Sequence, residues 1–216
     1  MPTPTLLLAT RNRHKAAEIQ CLLGVACRSL LDYPAAPQLV ENGSTFADNA
    51  RAKALQLARW LSPARATADL GVNAVLADDS GLEVDALAGA PGVRSARFAA
   101  EAGQENADDR ANNEKLLRLL EGVPLEHRTA RFRCALALTR LPWSENDEPK
   151  VFEGSCEGLI AFAPAGHGGF GYDPLFIPHG HNRSFAELGE QIKNRISHRA
   201  RALAKLRAWL TQCAWT

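Results

Sequence analysis

Two adjacent aspartates, Asp78 and Asp79, follow the apolar run at residues 74–77 and precede Ser80 and Gly81. Carboxylates at the end of a buried strand are where α/β enzymes place oxygen ligands for Mg²⁺ and acceptors for a proton. Side chains of neighbouring residues on an extended chain point to opposite faces. One aspartate can therefore face a ligand while the other supports the loop. Asp-Ser-Gly after a strand also reads as an ordinary turn, which leaves the downstream acids Glu83 and Asp85 without a role.

Three further groups could work with them. Thr10, Arg11, Asn12, Arg13, His14 and Lys15 separate a short apolar run from a helical pattern. A helix N-terminus there would offer outward N–H groups to an anion. Asn12 would cap the helix and Lys15 would neutralise a phosphate, with a capped helix carrying solvated basic residues as the alternative. Residues 166–171 match GxGxxG, but Asp173-Pro174 and an apolar run follow instead of a helix, so a dinucleotide fingerprint does not fit. A tight loop that stacks Phe170 on a base fits better, with packing of Phe170 and Tyr172 in the core as the alternative. Lys193, Asn194, Arg195, Ile196, Ser197, His198 and Arg199 place His198 and Arg199 in the first turn of a helix capped by Ser197. Basic residues there oppose the helix dipole unless an electron-rich ligand offsets the cost, and a solvated basic face is the alternative reading. Asn49 and Lys53 lie four apart on one helix face and can reach one ligand together, or equally are polar surface residues. His179 and His181 fit an exposed loop better than a metal site.

The elements that carry these groups alternate. Residues 5–9 form an apolar run, and Ala16, Ile19, Leu22 and Leu23 mark a helix face behind it. Thr45-Phe46-Ala47-Asp48 starts a helix to about Leu61, with Phe46, Ala50, Leu57 and Leu61 as its stripe. A brief strand over residues 74–77 stops at Asp78. A helix follows over 109–120, ended by Gly122 and Pro124. Residues 131–141 and 151–163 read as an antiparallel pair, 175–177 as another strand, and 62–71 as a surface loop. Ser184-Phe185-Ala186-Glu187 is a full capping box, and a last helix runs from near Ser197 to about Gln212. The pattern predicts an α/β protein with a mixed sheet.

The 216 residues suit a single domain, or one domain with two lobes. Hydrophobic residues are 46% and charged residues 23%, which argues against disorder. Lys+Arg is 25 and Asp+Glu is 24, a net charge of +1. A polymeric nucleic-acid binder usually has a basic excess. The charges are uneven, however: Asp78, Asp79, Glu83 and Asp85 lie in an acidic stretch, and six bases with no acid occupy residues 193–207. No segment is apolar enough to span a bilayer. The run at residues 6–9 is too short for a signal-peptide core. Five cysteines without CxxC spacing suggest a reduced, cytoplasmic, soluble protein.

In this order the motifs resemble one family, the inosine triphosphate pyrophosphatases, also called dITP/XTP pyrophosphatases. Thr10 to Lys15 is similar to its [ST]-x-N-x-x-K motif. Glu41-Asn42-Gly43-Ser44-Thr45-Phe46-Ala47-Asp48-Asn49-Ala50 is similar to its E-x-G-x-T-F-x-E-N-A segment. Ala77-Asp78-Asp79-Ser80-Gly81-Leu82, Gly89-Ala90-Pro91-Gly92-Val93-Arg94-Ser95-Ala96-Arg97, Gly168-Gly169-Phe170-Gly171-Tyr172-Asp173-Pro174 and Ile196-Ser197-His198-Arg199 complete the set. The resemblance implies an elongated mixed sheet with flanking helices, two lobes around an active-site cleft, and a homodimer. It implies Mg²⁺-dependent hydrolysis of ITP, dITP and XTP to the monophosphate and pyrophosphate. The loop from Thr10 to Lys15 would hold the triphosphate, with Lys53 assisting. Asp79 would be the catalytic carboxylate and metal ligand, and Glu41 the candidate second ligand. Ser80 would touch substrate. Phe170, Gly171, Tyr172 and Asp173 would line the base and sugar pocket. Lys193, His198 and Arg199 would recognise the base and its 6-oxo group. Val40 stands where family members often carry a second acid, and Asp48 stands for the usual Glu. A pyrophosphatase for modified pyrimidine triphosphates, similar to the septum-formation inhibitor family, and a non-enzymatic nucleotide or RNA binder are the competing readings.

Overall fold

A computed structural model describes residues 4–61, 71–100 and 106–212. The loop expected at 62–71 therefore lies almost wholly outside the described residues. The described strands form a six-stranded mixed sheet in the order β2-β1-β3-β4-β5-β6. They are β1 Leu6–Leu8, β2 Cys27–Ser29, β3 Ala74–Val84, β4 Thr129–Arg140, β5 Lys150–Ile160 and β6 Phe176–Pro178. β1 pairs parallel with β2 and β3, opposite Cys27 and Ala74 at Leu6, and β6 runs antiparallel to β5. The helices are α1 Arg13–Leu23, α2 Phe46–Trp60, α3 Asp109–Leu119, α4 Phe185–Ile196 and α5 His198–Gln212. None of the described helices is long and apolar enough to cross a membrane.

The chain forms two compact units. The first comprises Met1–Asp79, Cys134–Glu153 and Ala202–Thr216, and the second Ser80–Arg133 and Gly154–Arg201. In the first, Leu6, Leu8, Ala74 and Leu76 meet Ile19 and Leu23 of α1 and Leu203 and Leu206 of α5. Asn12 caps α1, its Oδ1 accepting the Lys15 N–H, so the polar residues before the helix are fixed at its mouth. Thr45 caps α2 in the same way through the Asp48 N–H, and Phe46, Ala50 and Leu57 turn inward as their spacing predicts. In the second unit, Leu82, Val84, Phe132, Tyr172, Phe176 and Phe185 form the core with Leu116 and Leu120 at the end of α3. Ser184 and Glu187 form the full capping box of α4.

The largest departure from the sequence pattern is β3. The strand does not stop at Asp78 but continues to Val84, so Asp78, Asp79, Ser80 and Gly81 are strand residues, not a turn. Leu82 and Val84 keep the alternation of a half-buried strand, and the aspartates stay in it because each finds cationic and hydrogen-bonding partners. The acidic stretch also divides. Glu83 and Asp85 pair with Arg131, at 3.8 and 2.9 Å, and Glu157 joins them at 2.9 Å. They belong to an ion-pair group, not to the carboxylates around Asp79.

Candidate active site

The first unit gathers lysines and carboxylates from four segments. Because successive residues of β3 face opposite ways, Asp78 and Asp79 find different partners. Asp78 Oδ1 lies 2.7 Å from Lys15 Nζ, and its Oδ2 accepts the Cys134 thiol at 3.3 Å. Asp79 Oδ2 accepts from Nδ2 of Asn49 at 3.0 Å, and Oδ1 lies 3.2 Å from Lys53 Nζ. Asn49 and Lys53 are one turn apart on the buried face of α2, which is why both reach the same carboxylate. Lys53 Nζ also donates to Glu41 Oε1 at 2.6 Å and to the Asp78 carbonyl at 2.7 Å. An ammonium has three N–H donors, and these protein oxygens take all of them. In this arrangement Lys53 holds Glu41 and Asp79 together.

Burial pushes the Asp79 carboxyl up, against the pull of Lys53 and Lys15. Burial pulls the Lys53 ammonium down, but Asp79, Glu41 and Asp78 outweigh it and raise it. Lys15 and Lys53 face Asp78, Asp79 and Glu41 here. Among the described residues no group of three or more His, Cys, Asp and Glu side chains is arranged to hold a metal alone. Mg²⁺ needs only one or two carboxylates when phosphate oxygens complete its shell. Glu41 and Asp79 are hard oxygen donors that reach one ammonium, so this donor set fits that ion.

The rest of the N-terminal loop divides. Thr10 Oγ1 accepts the Asn12 N–H. The Arg11 guanidinium is turned to the Ala36 and Pro37 carbonyls, at 2.6 and 3.3 Å, and fastens that turn. Arg13 and His14 are exposed on the first turn of α1.

The second unit gathers an aromatic ring and cations. Phe170 lies in the glycine-rich loop, with Lys193 Nζ 4.5 Å and Arg199 Cζ 6.0 Å from its ring centroid. Lys193 and Asp173 form a buried pair at 2.6 Å, and the same Asp173 oxygen accepts the Phe170 N–H at 2.9 Å. A Cβ at Gly169 would collide with the Asp173 carboxylate, so only glycine allows this approach. Ser197 Oγ accepts the Ala200 N–H, which makes it the cap of α5 and sets His198 and Arg199 in the first turn. Arg199 is buried and donates to Ser80 Oγ at 2.8 Å. His198 stacks on Phe132 with centroids 4.8 Å apart. The Tyr172 ring is in the core, and its hydroxyl donates to the Ser95 carbonyl at 2.9 Å. Tyr172 is thus the core residue of the loop, and Phe170 is the half-buried ring beside the cations.

Sequence reasoning missed Cys134, whose thiol meets Asp78, and Asp109 and Asn113, which bind the two sides of Gly171. Only contacts between distant segments mark these residues.

The chain is similar to relatives over nearly the whole length of both. A dITP/XTP pyrophosphatase from Desulforamulus reducens is 51% identical over 203 residues, covering 93% of this chain and 92% of its own. Another, from Halalkalibacterium halodurans, is 47% identical over 208 residues, covering 94% and 97%. The fold is similar to a HAM1 protein from Coxiella burnetii, with TM-score 0.80, 39% identity, and 97% and 100% of the two chains covered. Residues 6–209 match the model of one family, a span that includes every site residue described above: the chain belongs to the Ham1 family.

Proposed function

We propose that the chain hydrolyses noncanonical purine nucleoside triphosphates (ITP, dITP and XTP) to the monophosphate and pyrophosphate, and so clears deaminated purines from the nucleotide pool. The observation that carries this reading is the convergence of Glu41 and Asp79 on Lys53, with Asp78 and Lys15 beside them. The dITP/XTP pyrophosphatases named above support it.

Hydrolysis forms a bond from water oxygen to the α-phosphorus and breaks the bond to the bridging oxygen of pyrophosphate. Charge builds on the leaving group, and fixed cations stabilise it. Lys15 and the N–H groups at the mouth of α1 bind the triphosphate, with Thr10, Arg11, Asn12, Arg13 and His14 forming the loop around it. Asp79 accepts the proton of the attacking water. Lys53 and Asn49 orient that carboxylate. Glu41 and Asp79 would hold Mg²⁺, which supplies electrostatic stabilisation of the phosphate charge.

In the second unit, Phe170 offers a face for the purine, and Gly171, Tyr172 and Asp173 shape the loop. Lys193, His198 and Arg199 supply donors for the 6-oxo group, and Ser80 orients Arg199. A 6-amino group would bring hydrogens against those donors and leave buried polar groups unpaired, which disfavours adenine nucleotides. The same reading has a cytoplasmic homodimer that acts on free nucleotides and not on polymeric nucleic acid, in keeping with a net charge of +1.

The test is pyrophosphate release from dITP, XTP, dATP, dGTP and a methylated pyrimidine triphosphate, with Mg²⁺ varied. Fast release from dITP and XTP alone is expected. Equal rates on all substrates would overturn the specificity, and preference for the pyrimidine would overturn the substrate class.

A further inference from the structure

Gly171, next to Phe170, has φ +63°, in the left-handed region. A Cβ there would meet nothing within 4 Å, so the backbone conformation and not crowding calls for glycine. Such a conformation keeps its place when neighbouring groups hold it. One helix does this from both sides. The Gly171 N–H donates to Asp109 Oδ2 at 2.6 Å, and its carbonyl accepts from Asn113 Nδ2 at 2.9 Å. Asp109 and Asn113 are four residues apart in α3 and share a face.

The cost of this clamp is visible. Asn113 is buried, and its Oδ1 has no hydrogen-bond partner. An unpaired buried acceptor is unfavourable, and the bond to Gly171 is what the amide gains in exchange. On the other side of the ring, the Phe170 N–H is held by Asp173, which also holds Lys193. The backbone on both sides of the Phe170 ring is therefore anchored: its own N–H to Asp173, and the following residue to α3.

We propose that Asp109 and Asn113 are positioning residues for base recognition: by fixing Gly171 they fix the plane of Phe170 on which the purine stacks. This rests on the function proposed above. Neither residue needs to touch the nucleotide. Their effect is on the base end of the substrate and leaves the phosphate end alone.

Steady-state kinetics with ITP, paired with inhibition by inorganic tripolyphosphate, separate the two ends. For Asp109→Ala and Asn113→Ala, KM for ITP should rise roughly tenfold with kcat within about twofold. Asp109→Asn retains an acceptor for the Gly171 N–H and should return KM to within about threefold of the parent. Tripolyphosphate should inhibit all of these proteins equally. Unchanged KM in the alanine variants would overturn the proposal. So would a tripolyphosphate inhibition constant that rises with KM, because that pattern reports general distortion. Failure of the parent protein to hydrolyse ITP would overturn the proposed function itself, an outcome read before any variant is compared.

Discussion

Lys15 and Asp78 form an ion pair of 2.7 Å in which the aspartate side chain has no solvent exposure and the lysine side chain retains 17%. The Cys134 thiol meets the other oxygen of the same carboxylate. Asp78 therefore anchors the lysine at the mouth of α1, although it stands next to the residue assigned to the chemistry. Asp78→Asn keeps the shape but removes the charge that Lys15 faces. Since Lys15 reaches water, the variant should lose about 2 kcal/mol, less than breaking a fully buried pair. KM for dITP should rise severalfold as Lys15 leaves its place. Urea unfolding and initial rates check both parts, and a wild-type KM would show that Lys15 does not depend on Asp78.

Asp79→Asn should separate chemistry from folding. An asparagine oxygen can still accept from Asn49, and Lys53 keeps Glu41 and the Asp78 carbonyl. The melting temperature should change by only a few degrees, while kcat falls by roughly a thousandfold or more because the proton acceptor is gone. Pyrophosphate release beside a thermal melt measures this. Activity near that of the parent would remove Asp79 from the mechanism.

Glu41 carries the second donor oxygen and is about one-third exposed. Glu41→Gln should cost roughly 1 kcal/mol, because the buried Lys53 ammonium loses one charge partner but keeps a neutral acceptor there and the Asp79 carboxylate. It should raise the Mg²⁺ concentration needed for half-maximal rate. Titrating Mg²⁺ at saturating dITP gives the answer, and an unchanged requirement would leave Asp79 as the only protein ligand.

The parts of this arrangement that depend on neighbours in the chain were legible in the sequence. Asn12, Thr45, Ser184 and Ser197 cap helices where their spacing says, because a cap is a contact over two or three residues. Asn49 and Lys53 share a face for the same local reason. The extent of β3 was not legible. Paired aspartates followed by Ser-Gly carry turn chemistry, and only partners from α1, α2 and β4 keep them extended. Glu83 and Asp85 read as companions of Asp79 until Arg131, distant in sequence, takes them. That Lys53 meets three protein oxygens was not legible either, since sequence does not count how many acceptors surround an ammonium.

Tyr172 provides a pH-dependent test of the second unit. Its hydroxyl donates to the Ser95 carbonyl, and burial, aided by the Asp109 charge, pushes its pKa upward from the ordinary tyrosine value. Below pH about 10 the hydroxyl is protonated in folded and unfolded chains alike, so its contribution is fully present. Above that pH the unfolded chain releases the proton first, and the contribution is lost as pH climbs toward the folded value. Tyr172→Phe should cost about 1 kcal/mol at pH 7 through the lost hydrogen bond. The gap between parent and variant should then narrow between pH 10 and the alkaline limit of folding, because phenylalanine has no proton to release. Urea midpoints at pH 7, about 9 and about 11 measure the gap. A gap that stays constant across that range would show that the hydroxyl is not sheltered as the geometry requires.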